Sequence, residues 1–217
     1  MYIPKYFEAP EDEALAVVRA HPFALLLTPA EGGLPGVTHL PLMLDPAAER
    51  PTLIGHVARA NPHARALEAS GPALAVFSGA NAYISPNWYP SKHAGKAAVP
   101  TWNYVAVHAT GAIRPLPDYS DKRRVIRDLS LLFEGDGPRA WRLDDEPEDF
   151  IEKMCGGIVA FALDIQTLEA KAKLSQNRPA LDQAGVMQGL ASTGTAGAAA
   201  LAETMSAYGL GHKDSQS

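Results

Sequence analysis

The sequence predicts a mainly β fold with helical decorations, arranged as a closed or partly closed barrel. About seven short segments have the composition and the flanking turn residues of strands, and helical patterns between them are sparse. No Gly-rich phosphate loop follows a strand, so a doubly wound dinucleotide-binding fold is not expected. No stretch of the sequence repeats, which argues against a solenoid or a propeller.

The size and composition fit one large domain with a full core. The chain has 217 residues, of which 47% are hydrophobic and 20% charged. We expect residues 1–190 to form that domain and residues 191–217 to form a helical extension packed on it. The N-terminus lacks the layout of a signal peptide, and no apolar run is as long as a membrane span. The single cysteine, Cys155, is typical of a reducing cytoplasm and is expected to be an inert small hydrophobe.

Turn residues divide the first eighty residues into short elements. Acidic side chains at the start of the first helix suit its dipole, and Asn61 followed by Pro62 is typical of a helix start. A turn at 29–36 between two apolar runs predicts a hairpin. The predicted elements are a helix at 10–20, strands at 23–28, 37–44 and 52–57, a helix at 61–69 and a strand at 73–78.

The second half of the chain contains a long predicted loop at 79–100, with a short strand at 82–84. After it, alternation of apolar and polar residues predicts a strand at 102–114. Val125, Leu129 and Leu132 fall on one face of a helix. The other predicted elements are helices at 121–133 and 148–154, strands at 158–163 and 169–174 and a helix at 196–208, with fraying at 212–217.

The most distinctive stretch is an aromatic loop with polar tips. Four aromatic side chains with polar groups, Tyr83, Trp88, Tyr89 and Trp102, alternate there with serine, threonine and asparagine, and three prolines stiffen the backbone. Such a loop suits a flat heteroaromatic ligand that stacks on a ring while fixed dipoles contact its edge. A loop that caps the core is the alternative, because buried Trp and Tyr also satisfy their own polar groups.

Two further sets of residues suit an anion. Lys171, Lys173 and Ser175 share one face of an extended strand, and a cation beside a hydroxyl matches a phosphate dianion. An exposed strand edge protected by lysines is the alternative. Asn61 at a helix start, with His63 one turn further, offers a second anion site.

The other histidines and the nucleophiles point to no catalytic site. His39 and His56 lie in strands that could be neighbours and so could face one site, although hydrogen-bonded structural roles are the alternative. No His or Cys pair has the spacing of metal ligands, so no metal is expected. No Ser-His-Asp arrangement follows from the spacing, and no catalytic residue is assigned.

Six segments, taken in order, are specific as a set and resemble the PaiB family of FMN-binding negative transcriptional regulators. The resemblance runs from the first residue to about residue 190. The segments are Met1-Tyr2-Ile3-Pro4, Thr38-His39-Leu40-Pro41-Leu42, Gly55-His56-Val57-Ala58-Arg59-Ala60-Asn61-Pro62, Tyr83-Ile84-Ser85-Pro86, Val99-Pro100-Thr101-Trp102-Asn103-Tyr104 and Lys173-Leu174-Ser175-Gln176-Asn177.

The resemblance implies an FMN-binding split β-barrel that works as a homodimer. In such folds the flavin lies at the subunit interface, with its phosphate on one barrel and contacts from both chains. By this analogy the strand at 37–44 contacts the ring, and the turn at 56–63 lies near the phosphate and the ribityl chain. The expected FMN-binding residues are Thr38, His39, Leu40, Pro41, His56, Val57, Ala58, Asn61, His63, Thr101, Trp102, Asn103, Lys173, Ser175 and Gln176.

The family name implies a regulatory role, and two alternatives stay open. One is a flavin-dependent reductase or oxidase that acts on a small molecule, and the other is a haem-handling protein on the same barrel. A small-molecule effector is equally open. The formal charge of −5 and the single short basic run Lys122-Arg123-Arg124 predict only weak, strongly salt-sensitive DNA binding.

Overall fold

The computed structural model describes residues 1–30 and 33–211, and the predicted fraying at 212–217 lies outside them. Short 3₁₀ turns lie at Lys5–Phe7, Pro86–Trp88 and Leu143–Asp145. The strands are β1 (Phe23–Thr28), β2 (Gly36–Pro41), β3 (Met43–Leu44), β4 (Thr52–Ala58), β5 (Gly71–Ile84), β6 (Thr101–Leu116) and β7 (Ile158–Lys173). The helices are α1 (Glu11–Ala20), α2 (Ala64–Glu68), α3 (Pro90–His93), α4 (Tyr119–Glu134), α5 (Glu148–Gly156), α6 (Ala180–Thr193) and α7 (Ala196–Ala207).

The strands form one sheet in the order β2-β1-β5-β6-β7-β4-β3. The β1–β2 hairpin is antiparallel and pairs Leu25 with His39, as the turn residues predict. Antiparallel pairing of β4 with β7 places His56 opposite Ala160. The mainly β prediction is therefore confirmed. Among the described residues, no helix has both the length and the apolar character needed to cross a membrane.

The described residues divide into two compact units. The first comprises Met1–Val17, Ser78–Val107 and the described residues from Glu169 onward, and the second comprises His108–Leu168 and the described residues between Val18 and Phe77. The long strands β5, β6 and β7 each contribute residues to both units. Each unit has its own core and is described by itself.

The core of the first unit lies between its strand segments and the two C-terminal helices. Its members are buried apolar side chains from β5, β6, the end of β7, α6 and α7, chiefly Ile84, Tyr89, Val105, Leu174, Val186, Leu190, Leu201 and Met205. Helix α6 was not predicted, because its sequence is rich in Ala and Gly. Its glycines have a packing role, since a Cβ at Gly185 would lie 2.1 Å from the Trp88 carbonyl oxygen.

The second unit packs α4 on its strands. Val125 and Leu129 from α4 join Ile54, Leu116, Ala160 and Ala162 in one apolar cluster. A smaller cluster of Leu143, Ile151 and Cys155 lies beside α5. Burial raises the pKa of the Cys155 thiol, which fits the inert role expected of it.

Five predicted elements need correction. The loop predicted at 79–100 is wrong over its first part, because β5 continues to Ile84. The strands predicted at 158–163 and 169–174 are one strand, β7, whose polar middle stays in the sheet. The strand predicted at 37–44 is interrupted at Leu42, whose N–H donates to the Pro22 carbonyl instead of to a neighbouring strand. Of the helix predicted at 61–69, only Ala64–Glu68 is α-helical.

Candidate functional site

Three polar residues of the second unit are hydrogen-bonded around His63, and we call Thr28, Thr38, Asn61 and His63 the histidine cluster. The His63 Nε2 atom lies 2.7 Å from the Thr28 hydroxyl oxygen, and Nδ1 lies 2.8 Å from the Thr38 hydroxyl oxygen. The Asn61 amide donates to the Thr38 hydroxyl at 3.3 Å. Its carbonyl oxygen accepts the His63 backbone N–H at 2.9 Å. The side chains of β1, β2 and the turn before α2 thus form one hydrogen-bonded network.

Three members of the histidine cluster, Thr28, Asn61 and His63, line an open cleft of about 420 Å³. The remaining lining residues are small or apolar: Pro29, Ala30, Gly36, Val37, Pro62 and Ala66. Gly36 leaves room for the imidazole, because a Cβ there would lie 3.1 Å from His63 Cδ2. The cleft therefore combines hydroxyl and amide groups with a wall that a ribityl chain could contact.

The His63 ring is 7% exposed, and this burial lowers its pKa. A histidine whose pKa lies below its ordinary value is neutral at pH 7, so one ring nitrogen carries a proton and the other accepts one. The two threonines serve both roles, since a hydroxyl can donate or accept. The network is thus fully hydrogen-bonded without any charge.

A second polar group lies in the first unit, and we call Thr101, Asn103, Lys173 and Ser175 the lysine cluster. The Lys173 ammonium donates to the Thr101 hydroxyl at 2.5 Å, and the Asn103 amide donates to the Ser175 hydroxyl at 2.9 Å. Asn103 is completely buried, and its carbonyl oxygen has no hydrogen-bond partner. Ser175 has a φ of 69°, an unusual conformation for a residue other than glycine.

The lysine cluster suits an anionic or carbonyl-bearing ligand. Lys173 and Thr101 are half-buried, whereas Asn103 and Ser175 are buried. A strained backbone and an unsatisfied buried acceptor are features that concentrate at functional sites. Residues of this chemistry fit the carbonyl and N–H groups along the edge of a flavin ring.

The neighbouring Lys171 does not act as an exposed edge lysine. It is 8% exposed, donates to the Tyr2 carbonyl at 3.1 Å and lies 5.2 Å from the centre of the Tyr104 ring. The alternative of an exposed strand edge protected by lysines therefore does not apply to Lys171. Gln176 is also occupied, because its amide group bonds to the Leu174 N–H and the Ala172 carbonyl of its own strand end.

Some side chains of the aromatic loop cap the core, and others are accessible to a ligand. Tyr89 is buried in the core with the Arg178 guanidinium 4.7 Å from its ring centre, so it caps the core. Trp102 is 53% exposed, and with Tyr104 and Asn81 it lines a cleft of about 270 Å³ in the first unit. Tyr83 is 46% exposed, so it and the residues of this cleft are accessible to a ligand, whereas Tyr89 is not.

The remaining expected residues do not join the histidine cluster. His39 is exposed and stacks on Phe23 at 6.1 Å, while Leu40 is buried and Pro41 half-buried on the same strand. On β4, Val57 is buried and Ala58 exposed, and the buried Nδ1 atom of His56 has no partner. The strands of His39 and His56 are not hydrogen-bonded neighbours in the sheet. They do approach each other at the end of β2, since a Cβ at Gly55 would lie 3.2 Å from the Pro41 carbonyl oxygen.

Two residues at the histidine cluster, Thr28 and the adjacent Gly36, were not predicted from the sequence. Thr28 ends an apolar strand and carries no motif, and Gly36 lies in a turn cluster where glycine is ordinary. Their positions are explained by the hairpin register, which pairs Thr28 with Gly36 at the end nearest His63. Only the hairpin predicted at that point could have indicated them.

Comparison with known proteins shows the family to which the chain belongs. Residues 1–167 match the family model described as "Putative FMN-binding domain". The chain is 35% identical over 211 residues to the "Protease synthase and sporulation protein PAI 2" of Bacillus subtilis, and the match covers 94% of this chain and 96% of that protein.

Solved structures of low sequence identity share the fold. The FAD and heme binding protein from Mycobacterium smegmatis matches with a TM-score of 0.58 at 15% identity, covering 76% of this chain and 73% of that one. The flavocytochrome Anf3 from Azotobacter vinelandii matches with a TM-score of 0.57 at 16% identity, covering 79% and 72%. These likenesses confirm the predicted split-barrel fold class. From the family match and the B. subtilis relative together, the chain belongs to the FMN-binding domain family, as its resemblance to the PaiB proteins predicted.

Proposed function

We propose that this protein is a homodimeric flavoprotein that holds FMN without a covalent bond, with the phosphate group in the cleft of the histidine cluster. The observation that carries the proposal is the buried imidazole held between two threonine hydroxyls at the wall of an open cleft. Hydroxyl and amide donors bind phosphate oxygens well, and a phosphate group brings three acceptor oxygens.

The lysine cluster is proposed to contact the flavin through Lys173 and Thr101, while the buried Asn103 and Ser175 are hydrogen-bonded to each other. When bound, FMN supplies reversible one- and two-electron transfer. A nearby ammonium stabilises negative charge on a ligand, and Lys173 has no carboxylate within ion-pair distance among residues 1–30 and 33–211. The assignment of each cluster rests on its own chemistry and is tested by its own variant.

The remaining residues named by the resemblance are proposed to have lesser roles. His39, Pro41, Ala58 and Trp102 are accessible or half-buried and could contact the cofactor directly. Leu40 and Val57 are buried, so any role of theirs is to support the strand backbone. The dimer itself is proposed from the resemblance and from the prevalence of two-fold assemblies.

A regulatory role is proposed as well, since the B. subtilis relative is named for protease synthesis and sporulation. The basic run on α4 offers little to DNA, because its arginines are occupied. Arg123 pairs with Asp144 at 2.7 Å and Arg124 pairs with Asp45 at 2.9 Å. We therefore propose regulation that does not depend on phosphate contacts from this run.

Fluorescence titration with FMN and with riboflavin tests the phosphate assignment. We expect wild-type protein to bind FMN more tightly than riboflavin. Thr28→Val removes the threonine hydroxyl at the cleft and with it a charge-assisted hydrogen bond of about 1.5–3 kcal/mol, so it should weaken FMN binding roughly tenfold or more while riboflavin binding stays unchanged. Thr167→Val, at an exposed threonine in the middle of β7, is the control and should change neither affinity. Equal affinities of the wild type for both flavins would refute the phosphate site.

A further inference from the structure

We infer that a surface formed by the end of α4, the loop after it and α5 docks a Lys- and Arg-rich amphipathic segment of another protein. Its apolar members are Phe133, Trp141, Phe150 and Met154, which we call the α5 surface. All four residues belong to the second unit. The inference adds a protein partner to the proposed FMN function and does not depend on it.

Large apolar side chains on both helices of the α5 surface are exposed. Phe150 and Met154 are one turn apart on α5 and are 47% and 46% exposed. Phe133 is 60% exposed and lies seven positions after Ile126, so these two residues share a face of α4. Ile126 packs against the small apolar cluster beside α5, so this face of α4 meets α5. Exposed aromatic and methionine side chains grouped in this way are typical of protein interfaces.

The loop after α4 joins the two helices into one surface. The Trp141 N–H donates to the Glu134 carboxylate at 3.4 Å, and the Arg142 guanidinium donates to the Gly135 carbonyl at 2.7 Å. These bonds fold the loop back onto the end of α4. The half-buried Trp141 ring packs against the apolar cluster beside α5. Trp141 therefore lies between the end of α4 and the exposed side chains of α5.

Helix α5 is also held at its other end. The Arg59 guanidinium donates to the Gly156 and Ile158 carbonyls, at 3.1 Å each, and the Arg59 backbone N–H donates to the Gly157 carbonyl at 2.8 Å. The helix is thus fixed before any partner arrives. A preformed surface loses little conformational freedom on binding, which favours its use for docking.

The charge of this segment determines the chemistry of the partner. Residues 131–154 carry eight carboxylates and three cationic side chains, an excess of five that equals the formal charge of the whole chain. Arg123 pairs with Asp144 at 2.7 Å and with Glu148 at 3.3 Å. The other carboxylates are exposed and form no ion pair within residues 1–30 and 33–211: Glu134, Asp136, Asp145, Glu146, Asp149 and Glu152. This field attracts a cationic partner.

The same charge argues against the other occupants of an apolar surface. A second copy joined by a two-fold axis would place this set of carboxylates against itself. DNA and anionic lipid carry charge of the same sign and are repelled. A segment with Lys and Arg beside its apolar residues matches both features, because its apolar side contacts the α5 surface while its cations meet the carboxylates around it.

Fluorescence anisotropy with a labelled amphipathic helical peptide of Leu and Lys tests the inference. We expect saturable binding at one peptide per chain that weakens as salt is added, and no binding of a peptide with Glu in place of Lys. Phe150→Ser removes an exposed anchor and should weaken peptide binding about tenfold. Leu181→Ser, at an exposed apolar residue of α6 in the first unit, is the control and should leave the affinity unchanged. Both variants should bind FMN as the wild type does.

Each outcome decides between the α5 surface and an alternative. Equal peptide affinities of the wild type, Phe150→Ser and Leu181→Ser would show attraction by charge alone and would overturn the inference. Binding of the Glu peptide, or no binding of the Lys peptide, would overturn it too. A lower mass of Phe150→Ser in light scattering would assign the surface to a second copy instead. Failure of the wild type to bind FMN would overturn the proposed function and leave this inference intact.

A second measurement applies if Phe150→Ser does not fold. Methyl NMR of the wild-type methionines reports on the α5 surface directly, and the Met154 resonance is identified by its absence from Met154→Leu. We expect this resonance to shift when the Lys peptide is added and to stay in place with the Glu peptide. A Met154 resonance that does not respond to the Lys peptide would contradict docking at this surface.

Discussion

Gly36 lies directly against the His63 ring, so that a Cβ at this position would fall 3.1 Å from Cδ2 and 3.2 Å from Nε2. The same atom would lie 3.4 Å from the Thr28 hydroxyl oxygen. Gly36, which lies 27 positions before His63 in the chain, thus leaves the space that the imidazole needs in order to contact both threonines. The hairpin register, which pairs Gly36 with Thr28, brings the three residues together.

Gly36→Ala should therefore weaken FMN binding several-fold while the protein still folds. The contact is tighter than an ordinary one, so the ring must move by a few tenths of an ångström and its short hydrogen bonds must lengthen. Overpacking of this kind costs roughly 1–3 kcal/mol. The measurements are a flavin titration and a urea unfolding curve. Gly137→Ala, where an added Cβ meets nothing within 4 Å, is the control, and equal flavin affinities of the two variants would contradict the role of Gly36.

Lys173→Met should weaken FMN binding by ten- to a hundred-fold. The loss follows from one charge-assisted hydrogen bond of about 1.5–3 kcal/mol, at about 1.4 kcal/mol per factor of ten. The Lys173 side chain is half-buried and bonds only to Thr101 among the described hydrogen bonds, so the fold should survive the change. Lys122→Met on α4 is the matched control and should have almost no effect. The affinities for FMN are measured by flavin fluorescence. If the wild type, Lys173→Met and Lys122→Met bind FMN equally well, Lys173 does not belong to the site.

Gly185→Ala should destabilise the protein, although alanine favours helices over glycine by about 1 kcal/mol. The new Cβ would lie 2.1 Å from the Trp88 carbonyl oxygen, a backbone atom that cannot move without displacing the loop before α3. We expect a net loss of roughly 1–3 kcal/mol in the free energy of unfolding. Gly156→Ala, at the end of α5 with nothing within 4 Å, should be neutral or stabilising. Both free energies of unfolding are measured in urea. Equal values for Gly185→Ala and Gly156→Ala would contradict the packing of Trp88 on α6.

The flavin-free protein should lose stability as the pH falls from 7.5 to 5.5. Burial lowers the pKa of His56 and of His63 below their value of about 6.5 in an unfolded chain. Through that interval the unfolded state binds more protons than the folded state, so the free energy of unfolding falls with falling pH. His56→Gln should reduce the slope, measured by urea unfolding at several pH values. His39→Gln, at an exposed histidine, is the control, and a slope unchanged in His56→Gln would contradict the assignment.

The sequence predicts the elements whose signals are local. The strand Phe23–Thr28 is an apolar run between Pro22 and Pro29, and it forms as predicted. The middle of β7 and the helix α6 carry no such signal. Asp164, Gln166 and Thr167 have the composition of a turn, yet the strand passes through them. Helix α6 contains Gly185 and Gly189, whose place in a helix is explained only by the Trp88 side chain and backbone against them.

In the candidate site, too, the residues that the sequence predicts are those that carry a local signal. Thr38, Asn61 and His63 are found through the resemblance, and the pairing of Lys173 with Thr101 follows from two motifs that the sheet brings together. Thr28 and Gly36 carry no chemical motif of their own, because a threonine at a strand end and a glycine in a turn are common. Their role depends on hairpin register and on the distance to a ring 27 or more residues away, which are properties of the folded chain.

Flavin content of the purified protein tests FMN binding most directly. The protein is incubated with FMN, separated from excess ligand by gel filtration with light scattering, and its absorbance spectrum is recorded before heat release and mass identification of the ligand. We predict a flavin spectrum with about one FMN per chain on a particle of dimer mass. A protein that elutes without flavin, or one that carries a haem Soret band instead, would contradict the assignment.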